Sequence, residues 1–112
     1  MTPDARAALS RLAECIAANN GDLVASARLC DVKRDAEGHV CGVRTSGPHG
    51  FMDLDAGAVI LATGGFQANA ELRARYLGNG SDQVVLRSNP NSTGDGLTAA
   101  LGVGATTAGP FS

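Results

Sequence analysis

Apolar positions recur along the chain at two different periods, and the change of period divides it into regions. Near the start, Leu9, Leu12, Ala13, Ile16 and Ala17 follow the spacing i, i+3, i+4, i+7, i+8, while Arg6, Arg11 and Glu14 lie off that stripe. This is the pattern of an amphipathic helix. Thr2-Pro3 supplies a start signal and Asn19-Asn20-Gly21 a stop. Strand-like stretches follow. Residues 22–33 are long for one strand and are predicted to bend near Ala27. Turn residues at Asp35–Gly38 and at Ser46–Gly50 separate a second strand at 39–45 from a third at 51–55. Connections of this length join hairpins, so a three-stranded antiparallel meander is expected.

Residues 58–66, AVILATGGF, break the alternation. Val59, Ile60 and Leu61 form an uninterrupted apolar run, which is how a strand covered on both faces of a parallel sheet reads. The expectation is a central strand at 58–63 with Ile60 buried. Gly64 and Gly65 then remove two Cβ atoms where the chain leaves the sheet, allowing positive φ or close approach of another group. Ligands of open α/β sheets bind just beyond such strand ends. A plain glycine turn is the alternative. Further on, Asn69 is placed to cap a helix over 71–77, residues 81–93 read as irregular loop, and Thr93-Gly94-Asp95-Gly96 opens a last helix holding Leu97, Ala100 and Leu101. The expected class is therefore α/β.

Composition narrows the picture. At 112 residues there is room for one small domain and one core. An apolar share of 44% against 18% charged residues excludes a disordered chain. Fifteen glycines with only 4% aromatic residues suit close packing of helices on a sheet. A net charge of −2 without any polybasic run gives no nucleic-acid footprint. No stretch approaches the ~20 apolar residues of a membrane span, and no charged-then-apolar signal opens the chain. Cys15, Cys30 and Cys41 are odd in number and lack a CxxC spacing, which points to reduced thiols, a cytoplasmic setting and no metal site. His39 and His49 fall in or beside turns and read as solvated, and Arg73 and Arg75 read as a solvated helix face.

The order helix, strands of a meander, AVILATGGF, Asn69 with Glu71-Leu72-Arg73, then NSTGDG at 91–96 before an Ala-rich helix ending Gly104-Ala105 resembles the flavoprotein family of succinate dehydrogenase and fumarate reductase. Within it, the branch of fumarate reductase and tricarballylate dehydrogenase is most similar. The resemblance runs over nearly all of residues 1–112 and implies part of a Rossmann-like FAD-binding domain. That domain would have parallel-sheet strands, an inserted three-stranded antiparallel meander and flanking helices. It further implies that Ala62, Thr63, Gly64 and Gly65 line the nucleotide side of FAD and that Asp95 accepts hydrogen bonds from it. An ionised carboxylate suits hydroxyl donors; a helix-opening acid with no ligand is the alternative reading of Asp95. No GxGxxG turn for a pyrophosphate occurs in the sequence, and no residue qualifies for a catalytic role, the family's substrate-capping domain being expected outside these residues. The parent enzyme would move a hydride between flavin and a carbon–carbon bond of a small carboxylate-type substrate, and this chain alone would be inactive. A stand-alone nucleotide-binding module, or a non-functional gene remnant, are the competing readings.

Overall fold

The computed structural model describes residues 4–109 and 111. Helix α1 spans Ala5–Ala18 and is capped by Asp4, whose side chain accepts from the Arg6 N–H at 3.0 Å. Thr2 and Pro3, the expected start signal, lie outside the described residues. Its end is as expected: Asn19 closes the helix, and the Gly21 N–H returns to the Ile16 carbonyl at 2.9 Å. The apolar stripe that marks α1 in the sequence nevertheless packs on no other element among the described residues, leaving Leu9 and Leu12 exposed.

The meander is present. Strands β1 (Arg28–Arg34), β2 (Val40–Gly47) and β3 (Gly50–Asp55) pair antiparallel in that order. The bend expected near Ala27 falls at Ser26, which takes a left-handed φ of 55°, and residues 21–27 form no strand before it. In the first turn Asp35 accepts from the N–H groups of Glu37 and His39 at 3.1 and 2.7 Å. That side chain mimics the backbone of a tight turn. On the sheet surface Arg44 forks onto Asp53 at 2.7 and 2.9 Å, and Lys33 lies 3.5 Å from Asp53 and 3.2 Å from Asp55. His39 and His49 are exposed, as expected for turn residues.

The expected strand at 58–63 is not formed. These residues carry no sheet pairing, and Ile60 is 92% exposed. The physical reason is the absence of a partner: a strand is held by hydrogen bonds to neighbours, and among the described residues no strand lies alongside. One bond from Ala56 N–H to the Cys41 carbonyl (3.0 Å) prolongs the β2–β3 ladder before the chain departs. No parallel strand occurs among the described residues, so the sheet is purely antiparallel.

Two more helices complete the chain. Helix α2 (Ala70–Leu77) is capped as expected by Asn69, which accepts from the Leu72 N–H at 3.1 Å. A 3-10 turn at Ser81–Gln83 interrupts the stretch read as irregular loop. Helix α3 (Asp95–Gly102) packs on β1. Buried apolar side chains among the described residues are few: Val32 on the sheet, Leu72 on α2 and Ala99 on α3. Phe66, Tyr76 and Phe111 make a separate aromatic cluster, with ring centroids 4.7–5.6 Å apart.

Candidate functional site

The two motifs singled out in the sequence meet. The Gly94 N–H donates to the Gly65 carbonyl at 3.2 Å, and the Ala68 N–H donates to the Ser92 carbonyl at 2.8 Å. Asn69 braces the same junction from its side chain, since Nδ2 donates to the Thr93 carbonyl at 3.1 Å while Oδ1 caps α2. Thr63 lies directly against Gly96, so closely that a Cβ at residue 96 would overlap Thr63 Oγ1.

The glycines have different reasons. Gly64 (φ +75°) and Gly94 (φ +82°) hold left-handed backbone, which an L side chain resists by roughly 1–2 kcal/mol. Gly94 is also packed: a Cβ there would sit 2.5 Å from Leu72 Cδ1 and 2.8 Å from Phe66 Cβ. Gly65 lacks a positive φ, and an added Cβ would meet chiefly the end of the flexible Gln67 side chain, at 2.7 Å. Of the double glycine, only Gly64 is thus demanded by the backbone of this chain.

Asp95 opens α3 with its carboxylate held from two sides. Arg28, the first residue of β1, donates through Nε to Oδ2 and through Nη2 to Oδ1, both at 2.8 Å. Thr93 Oγ1 donates to Oδ1 at 2.8 Å, and Arg28 Nη2 lies 3.4 Å from the same hydroxyl. The Arg28 hydrogen bonds, seconded by Thr93, hold the Asp95 carboxyl below the ordinary carboxylate range against the opposing effect of burial. Arg28 escaped the sequence reading, because it is one cation in a strand-like stretch and the pairing spans 67 residues. No local signal could have found it.

These groups line a cavity of about 490 Å³, with Ser26, Ala27 and Leu29 on the β1 side and Thr63, Asn91, Thr93 and Asp95 on the other. That is the size of a small-molecule cleft. Its lining sets hydroxyl, amide, guanidinium and carboxylate groups beside the apolar Ala27 and Leu29. Ala62, Gly64 and Gly65 do not line it; the first two are exposed and Gly65 is half-buried. The structure thus brings Thr63 and Asp95 into one cavity, while Gly65 lies outside its lining and is tied to Gly94 by a hydrogen bond.

Arg73 departs from the solvated face expected of it. It is half-buried and donates to the carbonyls of Gln67, Ser81 and Asp82, tying α2 to the segment before it and to the 3-10 turn after it. Arg75 is exposed and pairs with Glu71 one helical turn away, as a solvated face would. The three cysteines are free thiols, and no group of three or more His, Cys, Asp or Glu side chains gathers among the described residues to hold a metal ion. No described helix is long and apolar enough to cross a membrane.

A search against protein-family models finds no match. Among characterised proteins, the chain is similar to a fumarate reductase (cytochrome) of Shewanella frigidimarina, 37% identical over 86 residues. The matched stretch is 76% of this chain and 15% of that protein. A second such protein, from S. frigidimarina strain NCIMB 400, gives the same identity over 14% of its length. Among solved structures, the open conformation of a flavocytochrome c3 fumarate reductase superposes with a TM-score of 0.77 and 27% identity, covering 88% of this chain and 17% of that one. In sequence and fold the chain matches one segment of the fumarate reductase flavoproteins, spanning about one-seventh of the curated relatives' length.

Proposed function

We propose that the chain forms part of the FAD-binding domain of a flavin-dependent oxidoreductase, with Thr63 and Asp95 facing the nucleotide and Ala62, Gly64 and Gly65 keeping the approach to it bare. One observation supports this above others: the ATGG and TGDG segments, far apart in sequence, are hydrogen-bonded to each other through Gly65 and Gly94, and their Thr63 and Asp95 line one cavity. In the whole protein the apolar residues 58–61 would then sit in a parallel sheet, which accounts for their composition. FAD would supply hydride chemistry toward a carbon–carbon bond of a small carboxylate substrate. The residues of this chain would hold and orient, not react. Among the described residues, the ionisable side chains lining the cavity are Asp95 and Arg28, which are paired with each other.

The test is a chimera in which residues 1–112 replace the matching segment of the S. frigidimarina fumarate reductase. It should purify with flavin, and Asp95→Ala should deplete it through loss of a charge-assisted hydrogen bond worth roughly 1.5–3 kcal/mol. Arg75→Ala should keep it. The ratio of flavin to protein absorbance reads the outcome. Full occupancy and unchanged affinity in Asp95→Ala would leave Asp95 a helix-opening acid and nothing more.

A further inference from the structure

We propose that Arg28 is a positioning residue of the nucleotide site, orienting Asp95 so that its carboxylate offers the ligand a single acceptor in a fixed direction. The inference rests on the reading of the cavity as part of a flavin site and extends it to a residue outside both recognised motifs. The geometry is specific. A planar fork meets both carboxylate oxygens at 2.8 Å, which fixes the plane of the carboxylate as well as its place. The Thr93 hydroxyl takes a third position on Oδ1. A carboxylate has about four lone-pair sites. With the fork using two and Thr93 one, a single acceptor remains.

That count sets the recognition. A ligand can place one hydroxyl or amino hydrogen on Asp95 but cannot chelate it through two donors. A lysine at residue 28 would supply charge without the second contact, leaving the carboxylate free to turn. Exposure fits a supporting role: the Asp95 side chain is 21% exposed and that of Arg28 64%, so the guanidinium covers the carboxylate while staying largely in solvent. Two backbone features aim it. The left-handed Ser26 turns the chain into β1, and the irregular pairing between Leu29 and Asp31 follows immediately. The groups acting on the Asp95 carboxyl are Arg28 from β1 and Thr93 from the loop before α3, and Arg28 in turn feels Asp95 and Cys30.

The experiment uses the full chain, unsubstituted and as Arg28→Lys and Arg28→Ala, with far-ultraviolet circular dichroism as the check of folding. Carboxyl-carbon NMR follows the Asp95 titration without flavin, and fluorescence titration follows binding of FAD. In the unsubstituted chain Asp95 should titrate below the ordinary range and FAD should bind weakly but saturably. Arg28→Ala should return the titration toward the ordinary value and weaken FAD binding about tenfold. Arg28→Lys should keep part of the depressed titration yet lose nearly as much affinity, since charge survives and orientation does not. Equal affinity in all three chains overturns the positioning role while leaving the flavin reading in place. Full affinity in Arg28→Lys alone reduces the role to charge and overturns the orientation claim. Absence of any saturable FAD binding in the unsubstituted chain overturns the positioning proposal, while the flavin reading is decided separately by the flavin content of the chimera. An Asp95 titration indifferent to residue 28 shows that the pair does not form.

Discussion

Replacing Gly96 by alanine sets two effects of known sign against each other. The residue lies inside α3, where alanine is favoured over glycine by about 1 kcal/mol. It is also buried against Thr63, whose Oγ1 the new methyl would overlap. Rotating the hydroxyl away does not clear the space, because Thr63 Cβ and Cγ2 stand 3.2 and 3.3 Å from the same point. Forcing a methyl into such a contact costs roughly 1–3 kcal/mol. Gly96→Ala should therefore be neutral to destabilising, by up to about 2 kcal/mol after the helical gain. In a Thr63→Gly background the obstacle is gone, and the same substitution should stabilise by up to about 1 kcal/mol. Each kcal/mol moves the melting temperature by roughly 4–8 °C in a domain near this size, so circular dichroism melts of the four chains resolve the cycle. A coupling below about 0.5 kcal/mol, the usual scatter for independent sites, would refute the contact between the two motifs.

Three further outcomes are expected. Gly94→Ala should lower the melting temperature by more than Gly65→Ala, since it adds left-handed strain of roughly 1–2 kcal/mol to a clash with Leu72, whereas residue 65 meets only the movable Gln67. On the sheet, the Arg44 hydrogen bonds, helped by Lys33, hold Asp53 at about 2, down from 3.8. A depressed carboxyl stabilises the fold above its unfolded value, so this contribution is complete above pH 3.8 and fades as pH falls toward 2; Arg44→Ala should return the NMR midpoint of Asp53 toward 3.8. The chain should also self-associate at micromolar concentration through its exposed apolar side chains, Leu9, Leu12 and Ile60 among them. Ile60→Lys should reduce association in light scattering, and a sharp monomer peak for the unsubstituted chain would contradict the expectation.

Signals in the sequence are legible where the structure they specify is itself local. The 3.6 period of α1, the Asn69 cap and the turn at Asp35 depend on residues a few positions apart, and all are present. So is the meander, whose strands pair with their neighbours in sequence. The strand expected at 58–63 does not form because an apolar run states only that something must cover it, and among the described residues no strand pairs with it and Ile60 stays exposed. Arg73 looked solvated because its partners are backbone carbonyls, which leave no trace in side-chain pattern. The site was legible as two motifs, while their junction and the fork from Arg28 were not. Such pairings are products of the fold.

The hydrogen bonds that join residues 65–69 to residues 92–94 also make the junction a clock. The amides of Ala68 and Gly94 donate across it, so their exchange with solvent deuterons requires the two segments to part. Amides hydrogen-bonded between strands of the meander exchange only when those strands open. Comparing the two rates would say whether the two segments beside the cavity separate on their own, before the sheet unfolds, and on what timescale. A junction that opens often would admit a bulky nucleotide from the side; one as slow as the sheet would present a cavity already shaped when the ligand arrives.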